Sequence, residues 1–473
     1  MFRPPINRAM RTLDRAFFRR TFPISAARVT NNNDISMVRK ALEKSQDILV
    51  QPRYQAVWSD PAQPGKRLVL LKPEIKHNDP STWGPQVTEF QDANITTLVP
   101  HDVTLDYDYW TYDDIMKSIL PEENQEDLYP KRFTQVGHIL HLNLRESHQP
   151  YKQLIADVLF DKTKNIKTII SKIDNVGEES QFRTFAYEVL KGPDDLNVEV
   201  HEEGCTFCFD FAKVYWNSRL QAEHKRLVST FKEGDAVCDV MAGIGPFAVP
   251  AGKKKVFVRA NDLNPESYKY MVDAIKKNHV GPWVAPHNEN GHKFIRTATA
   301  ELYAHPRQHS QLIAHKYKPG EKKPANPPKP EEKRYTEPKI FSHYVMNLPA
   351  SAIEFLPAFI GLYSRHPFKK LLKGAAPETL FSPHTPFKLP MIHVYCFERK
   401  GGDVVAEQSA DVCKRISEQL DYVITPDTPD VSIYDVRDVA PNKRMFCASF
   451  RLPAEVAFRP QRPRSQEGTF EVD

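Results

Sequence analysis

Cysteine is scarce in this chain: six residues in 473, dispersed along its length. Such sparse use argues against a disulfide framework and points to a reducing compartment. The one close pair, Cys205 and Cys208, lies in a strand-like run from Val198 to Phe211. No second pair stands ready to complete a tetrahedral zinc site, so no metal is expected. No uninterrupted apolar run approaches the roughly 20 residues of a membrane span, and no membrane partner is expected. The net charge of +5 is mild; it permits nucleic-acid binding without demanding it, since a basic patch matters more than a total. No internal repeat is evident. Acids are almost missing from the first 29 residues, where Arg3, Arg8, Arg11, Arg15, Arg19, Arg20 and Arg28 face Asp14 alone. That composition fits either a mitochondrial transit peptide or the basic opening of a first domain.

What is present centres on residues 235–265. Ala236 to Val240 reads as a short buried strand, followed by Ala242-Gly243-Ile244-Gly245-Pro246, a turn whose glycines let the backbone bend and a ligand approach. Pro246 suits the first position of a helix. A second strand, Val256 to Ala260, ends at Asn261-Asp262, after which Asn264 can cap and Pro265 open a helix. Tyr268, Met271, Val272 and Ile275 line one face of that helix. Strand, glycine turn, helix, strand and acid make a nucleotide-type βαβ unit. Gly243 to Ala248 also fits the dinucleotide fingerprint, so NAD stays open. Asp239, which would sit close to a pyrophosphate, favours S-adenosylmethionine, with Asp262 holding ribose hydroxyls. A nucleotide-free α/β core is the plain alternative.

Along the rest of the chain, Arg67 to Lys72 is the clearest early strand. Asp106 to Asp114 mixes aromatics with acids and reads as packing surface. A second unit begins near Tyr129, with strands at 136–144, 166–172, 185–191 and 198–211 and a helix at 151–161, an α+β order. Ser218 with Gln221 forms a capping-box pattern for a helix carrying Leu220, His224, Leu227, Val228 and Phe231 on one face. His224 reads as a core histidine or a ligand contact. Arg219, a cation in a first helical turn where the dipole disfavours it, is either a surface residue or recruited to a ligand oxygen. A weak third strand at 283–285 precedes a turn at 287–291 that would border an adenine. Residues 307–339, dense in Pro and Lys, read as a disordered insertion. A strand at 340–346 ends in Asn347-Leu348-Pro349-Ala350 and leads to a helix at 351–363. After a proline-rich loop at 364–390, a strand at 391–397, a helix at 403–420 and strands at 431–436 and 445–450 close the sequence.

These pieces together resemble the eukaryotic and archaeal tRNA (guanine-37 N1)-methyltransferases. The segments that carry the likeness are FDFAKVYWNSRLQAEHKRL (Phe209 to Leu227), DVMAGIGPFAVPA (Asp239 to Ala251), ANDLNPES (Ala260 to Ser267), NENGHKFI (Asn288 to Ile295) and NLPASAIEFL (Asn347 to Leu356), with PPINRAMRTLDRAFF at the start. The last of these weakens the transit-peptide reading. The resemblance implies an α/β class, with a class I (Rossmann-like) methyltransferase domain preceded by two smaller α+β domains. The expected boundaries are 1–125 for an N-terminal tRNA-recognition domain and 126–200 for a small α+β domain. Residues 201–458 would form the S-adenosylmethionine-dependent methyltransferase domain, interrupted by the insertion, and 459–473 a C-terminal tail.

The resemblance further implies methyl transfer from S-adenosylmethionine to N1 of guanine 37 in the tRNA anticodon loop, supporting reading-frame maintenance. His224, Asp239, Gly243, Gly245, Asp262, Leu263, Asn290, Gly291 and Asn347 would contact the cofactor. Arg219 would stabilise charge on the guanine O6, Asn347 would orient the base, and Asp262 is the candidate general base. By the resemblance, family members usually show Asp-Gly where this chain has Asn290-Gly291, which replaces a carboxylate by a weaker acceptor. A monomer is expected, in the cytoplasm, nucleus and mitochondrial matrix. The rival readings are aminocarboxypropyl transfer to the same tRNA position in wybutosine synthesis, an NAD-dependent oxidoreductase, and a non-catalytic tRNA-binding module.

Overall fold

The structure, a computed structural model, describes residues 2–173, 186–313, 331–364, 368, 388–399, 405–440 and 443–460. Contacts divide the chain into two compact units, one of residues 1–173 with 187–195 and one of 174–186 with 196–473.

The first unit holds two four-stranded sheets. The first is built on Arg20–Val29, which pairs antiparallel with Thr96–Leu105 along all ten residues and with Arg67–Leu70 on its other edge. Residues 20–29 are thus an inner strand, and losing the first 29 residues would remove it. The second sheet comprises Thr134–Val136, Ile139–Leu142, Thr168–Lys172 and Tyr187–Lys191. The single strand expected at 136–144 is instead a hairpin folded at Gly137, whose φ of 55° a side chain would resist. The strand expected at 185–191 begins at Tyr187; Phe182 to Thr184 and Phe185 lie outside the described residues. Helix Lys152–Lys162 buries Leu154, Ile155, Ala156, Val158 and Leu159 against a core that includes Phe18 and Trp110. The aromatic-acid stretch 106–114 packs as expected: Trp110 is 2 % exposed and donates its Nε1–H to the Phe18 carbonyl.

The second unit opens with a hairpin, Asn197–Glu202 and Cys205–Asp210, turned at Glu203-Gly204 with both φ positive. The expected continuous run at 198–211 is therefore two strands, and Cys205 and Cys208 point to opposite faces of the second. Helix α1 (Gln221–Thr230) follows, then a seven-stranded sheet. Its strands are β1 (Ala236–Asp239), β2 (Phe257–Asn261), β3 (Val284–His287), β4 (His343–Met346), β5 (Met391–Arg399), β6 (Ser432–Ala440) and β7 (Lys443–Arg451). The order is β3-β2-β1-β4-β5-β7-β6, parallel from β3 through β5, with β7 antiparallel to its neighbours. Helices α2 (Ala248–Lys253), α3 (Pro265–Lys277), α4 (Gly291–Ala304) and α5 (Val405–Leu420) connect the strands. Chain order reverses between β1 and β4, the switch point where open α/β sheets take ligands.

Four local expectations are corrected. The helix after Trp216 is capped by Asn217, whose Oδ1 accepts from the Arg219 N–H at 3.1 Å, and not by Ser218; a one-turn 3₁₀ segment, Ser218–Leu220, precedes α1. Pro246 stands two residues before α2 rather than at its start. The helix expected at 351–363 is a 3₁₀ segment, Ala352–Phe359, with Pro357 inside it, whose ring would clash with the carbonyl four residues back in a continued α-helix. The 307–339 stretch is not wholly without structure: Gln308–Ile313 and Glu331–Thr336 pair as an antiparallel hairpin, while 314–330 lie outside the described residues. Composition hid an anchor there. Glu337 has a fully buried side chain that pairs with Arg259, itself 1 % exposed, and accepts from the Arg307 N–H at 2.8 Å.

Candidate functional site

The site forms where β1 ends. Val240 continues from β1 by donating its N–H to the Val345 carbonyl of β4 at 2.9 Å, and Ala242 donates to the Asn261 carbonyl at 2.7 Å. Between these anchors the chain turns through Gly243 (φ 57°) and Gly245 (φ 97°). A Cβ on Gly245 would lie 2.9 Å from Val249 Cγ2. The turn is clamped from β2: Asp262 Oδ2 accepts from the Gly243 N–H at 2.8 Å, and Oδ1 accepts from the Asn264 N–H at 2.9 Å. Burial lifts the Asp262 carboxyl above the ordinary carboxylate range, and the two backbone donors pull it back. Asn264 caps α3 through the Glu266 N–H at 3.0 Å, as its position before Pro265 requires.

The turn roofs a cleft of about 180 Å³. His224, Gly243, Asp262, Leu263, Asn290, Gly291 and Asn347 all line it, so seven residues expected from dispersed segments come together. His224 combines its two sequence readings. It is 3 % exposed, its Nδ1 lies 2.5 Å from Glu202 Oε1, and its ring meets Phe247 edge-on at 4.7 Å while lining the cleft. Among the described residues, neither the buried Oδ1 of Asn347 nor the Nε1–H of Trp216, both in the lining, has a hydrogen-bond partner. Buried polar groups of this kind cost stability unless something completes them. Asn290 caps α4 by accepting from the His292 N–H at 3.0 Å. That uses one lone pair of its Oδ1 and leaves one. Gly291 has no room for a side chain: a Cβ would sit 2.9 Å from the Phe355 ring.

Three expected residues stand elsewhere. Asp239 does not line the cleft. As the last residue of β1, flanked by β2 and β4, its side chain is enclosed beneath the turn at 0 % exposure, with neither oxygen hydrogen-bonded among the described residues. Burial first, then the nearby Asp262, pushes its carboxyl well above the ordinary range. Gly245 supports the turn from outside the lining. Arg219 is exposed at the rim, between the lining residues Asn217 and Leu220, and no described acid pairs with its guanidinium.

Sequence reasoning missed Asn261. Its Nδ2 donates to the Val240 and Glu289 carbonyls at 3.0 and 2.9 Å, and its Oδ1 accepts from the Glu289 N–H at 2.7 Å, tying three strand ends into one floor. A polar residue closing the apolar run of β2 was the available signal. Glu223 was also missed. It is 5 % exposed, receives two hydrogen bonds from Arg226 at 2.6 and 2.7 Å and one from the Tyr395 hydroxyl at 2.6 Å.

Residues 198–310 match the family model described as TRM5/TYW2 methyltransferase domain, and residues 112–195 that of the TYW2 N-terminal domain. The tRNA (guanine(37)-N(1))-methyltransferase of Aspergillus fumigatus is 51 % identical over 479 residues, covering 97 % of this chain and 96 % of its own. That of Schizosaccharomyces pombe is 41 % identical over 449 residues, 95 % of each. Among solved structures, Trm5b from Pyrococcus abyssi is similar with a TM-score of 0.56 at 19 % identity, over 90 % of this chain and 99 % of that one. A structure described as the complex of aTrm5 and tRNALeu is similar with a TM-score of 0.56 at 17 % identity, over 90 % and 100 %. These structures share the fold. The relatives' shared name is that of the methyl transfer, and neither the aminocarboxypropyl transfer nor the NAD chemistry raised by the glycine turn. The chain belongs to the tRNA (guanine(37)-N(1))-methyltransferases, an S-adenosylmethionine-dependent family of enzymes.

Proposed function

We propose that the cleft beside Gly243 binds S-adenosylmethionine and that the protein methylates N1 of guanine 37 with Arg219 and Asn347 at the base. The observation that carries this reading is the cleft itself: a glycine turn, an acid at the end of the second strand and an unpartnered Asn347 carbonyl converge on one space. The residues fit the donor. Asp262 would accept from ribose hydroxyls with the lone pairs its backbone clamps leave free. Leu263 and Ile244 offer apolar surface to the adenine, and Asn290 its remaining carbonyl lone pair. When bound, the donor supplies an electrophilic methyl on a sulfonium.

The protein's own groups supply the rest. Guanine N1 is a poor nucleophile until its proton leaves, and the resulting charge spreads to O6. The guanidinium of Arg219 at the rim, with no acid partner among the described residues, is suited to meet that charge as it grows. Asn347 orients the base edge through its amide. Deprotonation of N1 is the other role open to Asp262. Because Oδ2 already accepts from the Gly243 N–H and Oδ1 from the Asn264 N–H, we assign it to the ribose, and to the base only as a competing duty. A target in a loop can be unstacked and swung into the cleft at limited cost. The first unit would read tRNA shape through phosphate contacts. We further propose a monomer working in cytoplasm, nucleus and mitochondrial matrix, a distribution that imaging of the full chain fused to a reporter checks.

The deciding experiment is incubation of pure protein with unmodified tRNA transcript and labelled donor, then nucleoside identification. A single added methyl at N1 of guanine 37 supports the reading. A larger mass increment would support aminocarboxypropyl transfer, and unmodified tRNA a binding module.

A further inference from the structure

Arg437 lies on β6, the edge strand of the large sheet, and is bracketed by two irregularities. The register with β7 shifts between Asp435 and Arg437, and again between Asp438 and Ala440. The first shift makes Val436 the extra residue. Tyr434 opposes Cys447 and Arg437 opposes Met445, two β7 residues that share a face. The bulge therefore returns Arg437 to the same face as Tyr434, where regular alternation would have turned it to the opposite side.

That face is the one α1 covers. Arg226 of α1 lies over the Tyr434 ring at 4.1 Å, and Glu223, one turn earlier, receives the Tyr395 hydroxyl from β5. Stepping back from Arg226 leads through Glu223 on α1 to Arg219 in the 3₁₀ turn that precedes it. Stepping along β6 from Tyr434 leads to Arg437. Both steps run toward the carboxyl edge of the parallel strands. The row is fixed by register: Arg437 opposes Met445, Met445 opposes Phe397, and the Phe397 N–H donates to the Pro349 carbonyl at 3.0 Å. Pro349 is two residues past Asn347. Arg437 thus stands on the outward continuation of the strip that carries Asn347, on Arg219's side of the sheet.

No described carboxylate forms an ion pair with the guanidinium there. Its Nε donates to the Asp438 carbonyl at 3.1 Å, Nη1 is buried without a partner among the described residues, and the Asp438 carboxylate faces Arg444 at 3.3 Å. Asp435 also faces Arg444, at 3.4 Å. Burial, and then the field of Arg219, hold Arg437 below the ordinary arginine range, with Tyr215 and Asp438 acting in the other direction. Two cations held close without an anion are unfavourable in isolation and become favourable when a doubly accepting anion joins them.

We propose that Arg437 binds a phosphodiester oxygen of the tRNA backbone beside the nucleotide being methylated, next to Arg219. This rests on the tRNA-methylating function proposed above. The division of labour follows from placement: Arg219 borders the cleft lining and meets the base, while Arg437, farther out on the edge strand, meets the backbone. The contact fixes the nucleotide's register and carries no sequence information.

The test compares wild type, Arg437→Gln and Arg437→Lys in full-length protein. Binding of unmodified tRNA transcript is measured across a salt series, with steady-state kcat and tRNA KM and calorimetric S-adenosylhomocysteine affinity. Arg437→Gln should weaken tRNA binding about tenfold and lower the slope of log K against log salt by about one. S-adenosylhomocysteine affinity should stay within twofold, which also shows that the fold is intact. Arg437→Lys should keep the slope and recover part of the affinity, as a point charge replaces a fork. Unchanged tRNA affinity and slope in Arg437→Gln overturn the proposal, as does a loss confined to the S-adenosylhomocysteine site. If Arg437→Gln does not fold, Arg437→Lys decides: a several-fold rise in tRNA KM supports the contact, and an unchanged KM overturns it. Failure of the functional reading is separate, since it shows as wild type that leaves the transcript unmethylated.

Discussion

Asp262 and Gly243 are joined by a hydrogen bond of 2.8 Å from the glycine N–H to Oδ2, across the gap between the first two strands of the large sheet. One side chain thereby sets the shape of the turn and lines the cleft. Asp262→Ala removes both services. S-adenosylmethionine affinity should fall roughly 10-fold to 100-fold, the range for losing hydrogen bonds to a charged group. The melting temperature of the ligand-free protein should fall as well, because the Gly243 and Asn264 donors lose their acceptor. Asp262→Asn should give an intermediate loss, since one of its two polar atoms donates where an acceptor is needed. Calorimetry and thermal melts check both; unchanged donor affinity removes Asp262 from the site.

Arg219 makes the opposite prediction. It is exposed, lies outside the lining and has no described acid to pair with. Its partner charge arises only in the reacting state, so the interaction acts on turnover rather than on ground-state binding. Arg219→Ala should lower kcat by about 10²–10³-fold, as for removal of a donor to a developing oxyanion. Donor affinity should stay within twofold. Single-turnover rates with saturating tRNA measure this, and equal losses in rate and donor affinity would count against the role.

The contrast between these two residues shows what a linear sequence reveals. The βαβ unit was legible because its signals are local: an apolar run, two glycines, a second run and an acid within about 30 residues. The cleft assembled as expected from segments as distant as His224 and Asn347 because each carried a short motif. Long-range pairing was not legible. Arg20–Val29 and Thr96–Leu105 are the longest partners in the first unit, yet neither announces the other across about 70 residues. Asn217 and Ser218 are both good caps, and only backbone geometry chooses Asn217. The aim of Arg437 depends on a bulge at Val436 that no residue type there signals. The enclosure of Asp239 follows from strands on both sides, which its motif does not disclose.

The 307–339 stretch separates composition from structure in a measurable way. Its two ends form a hairpin, and Glu337, just beyond, pairs with the buried Arg259 and with Arg307 at 2.9 Å. Removing one partner of a buried pair leaves the other charge uncompensated, at about 3–5 kcal/mol. Glu337→Ala should therefore lower unfolding free energy by about that amount in denaturant titrations. Replacing residues 314–330 by a short glycine-serine turn should leave the midpoint within experimental error. A deletion carried on through Glu337 should instead be strongly destabilising, unlike loss of an ordinary proline-rich linker. If Glu337→Ala melts as wild type does, the pair is not an anchor.

Asp239 yields a pH prediction whose sign is fixed by its surroundings. Its folded-state carboxyl titrates well above the ordinary value because burial, and then Asp262, oppose ionisation. A group raised on folding contributes stability that is whole below its unfolded pKa of about 4. That contribution is lost progressively as pH rises from there toward the folded value, because only the unfolded chain gives up the proton easily. Asp239→Asn has no proton to lose. The ligand-free variant should match wild type near pH 4, and its advantage in melting temperature should grow as pH is raised toward 7. Thermal melts of both proteins across that range test it. A difference that does not change with pH would mean that Asp239 is ionised in the folded protein and has a partner in solution that its enclosed position beneath the glycine turn does not provide.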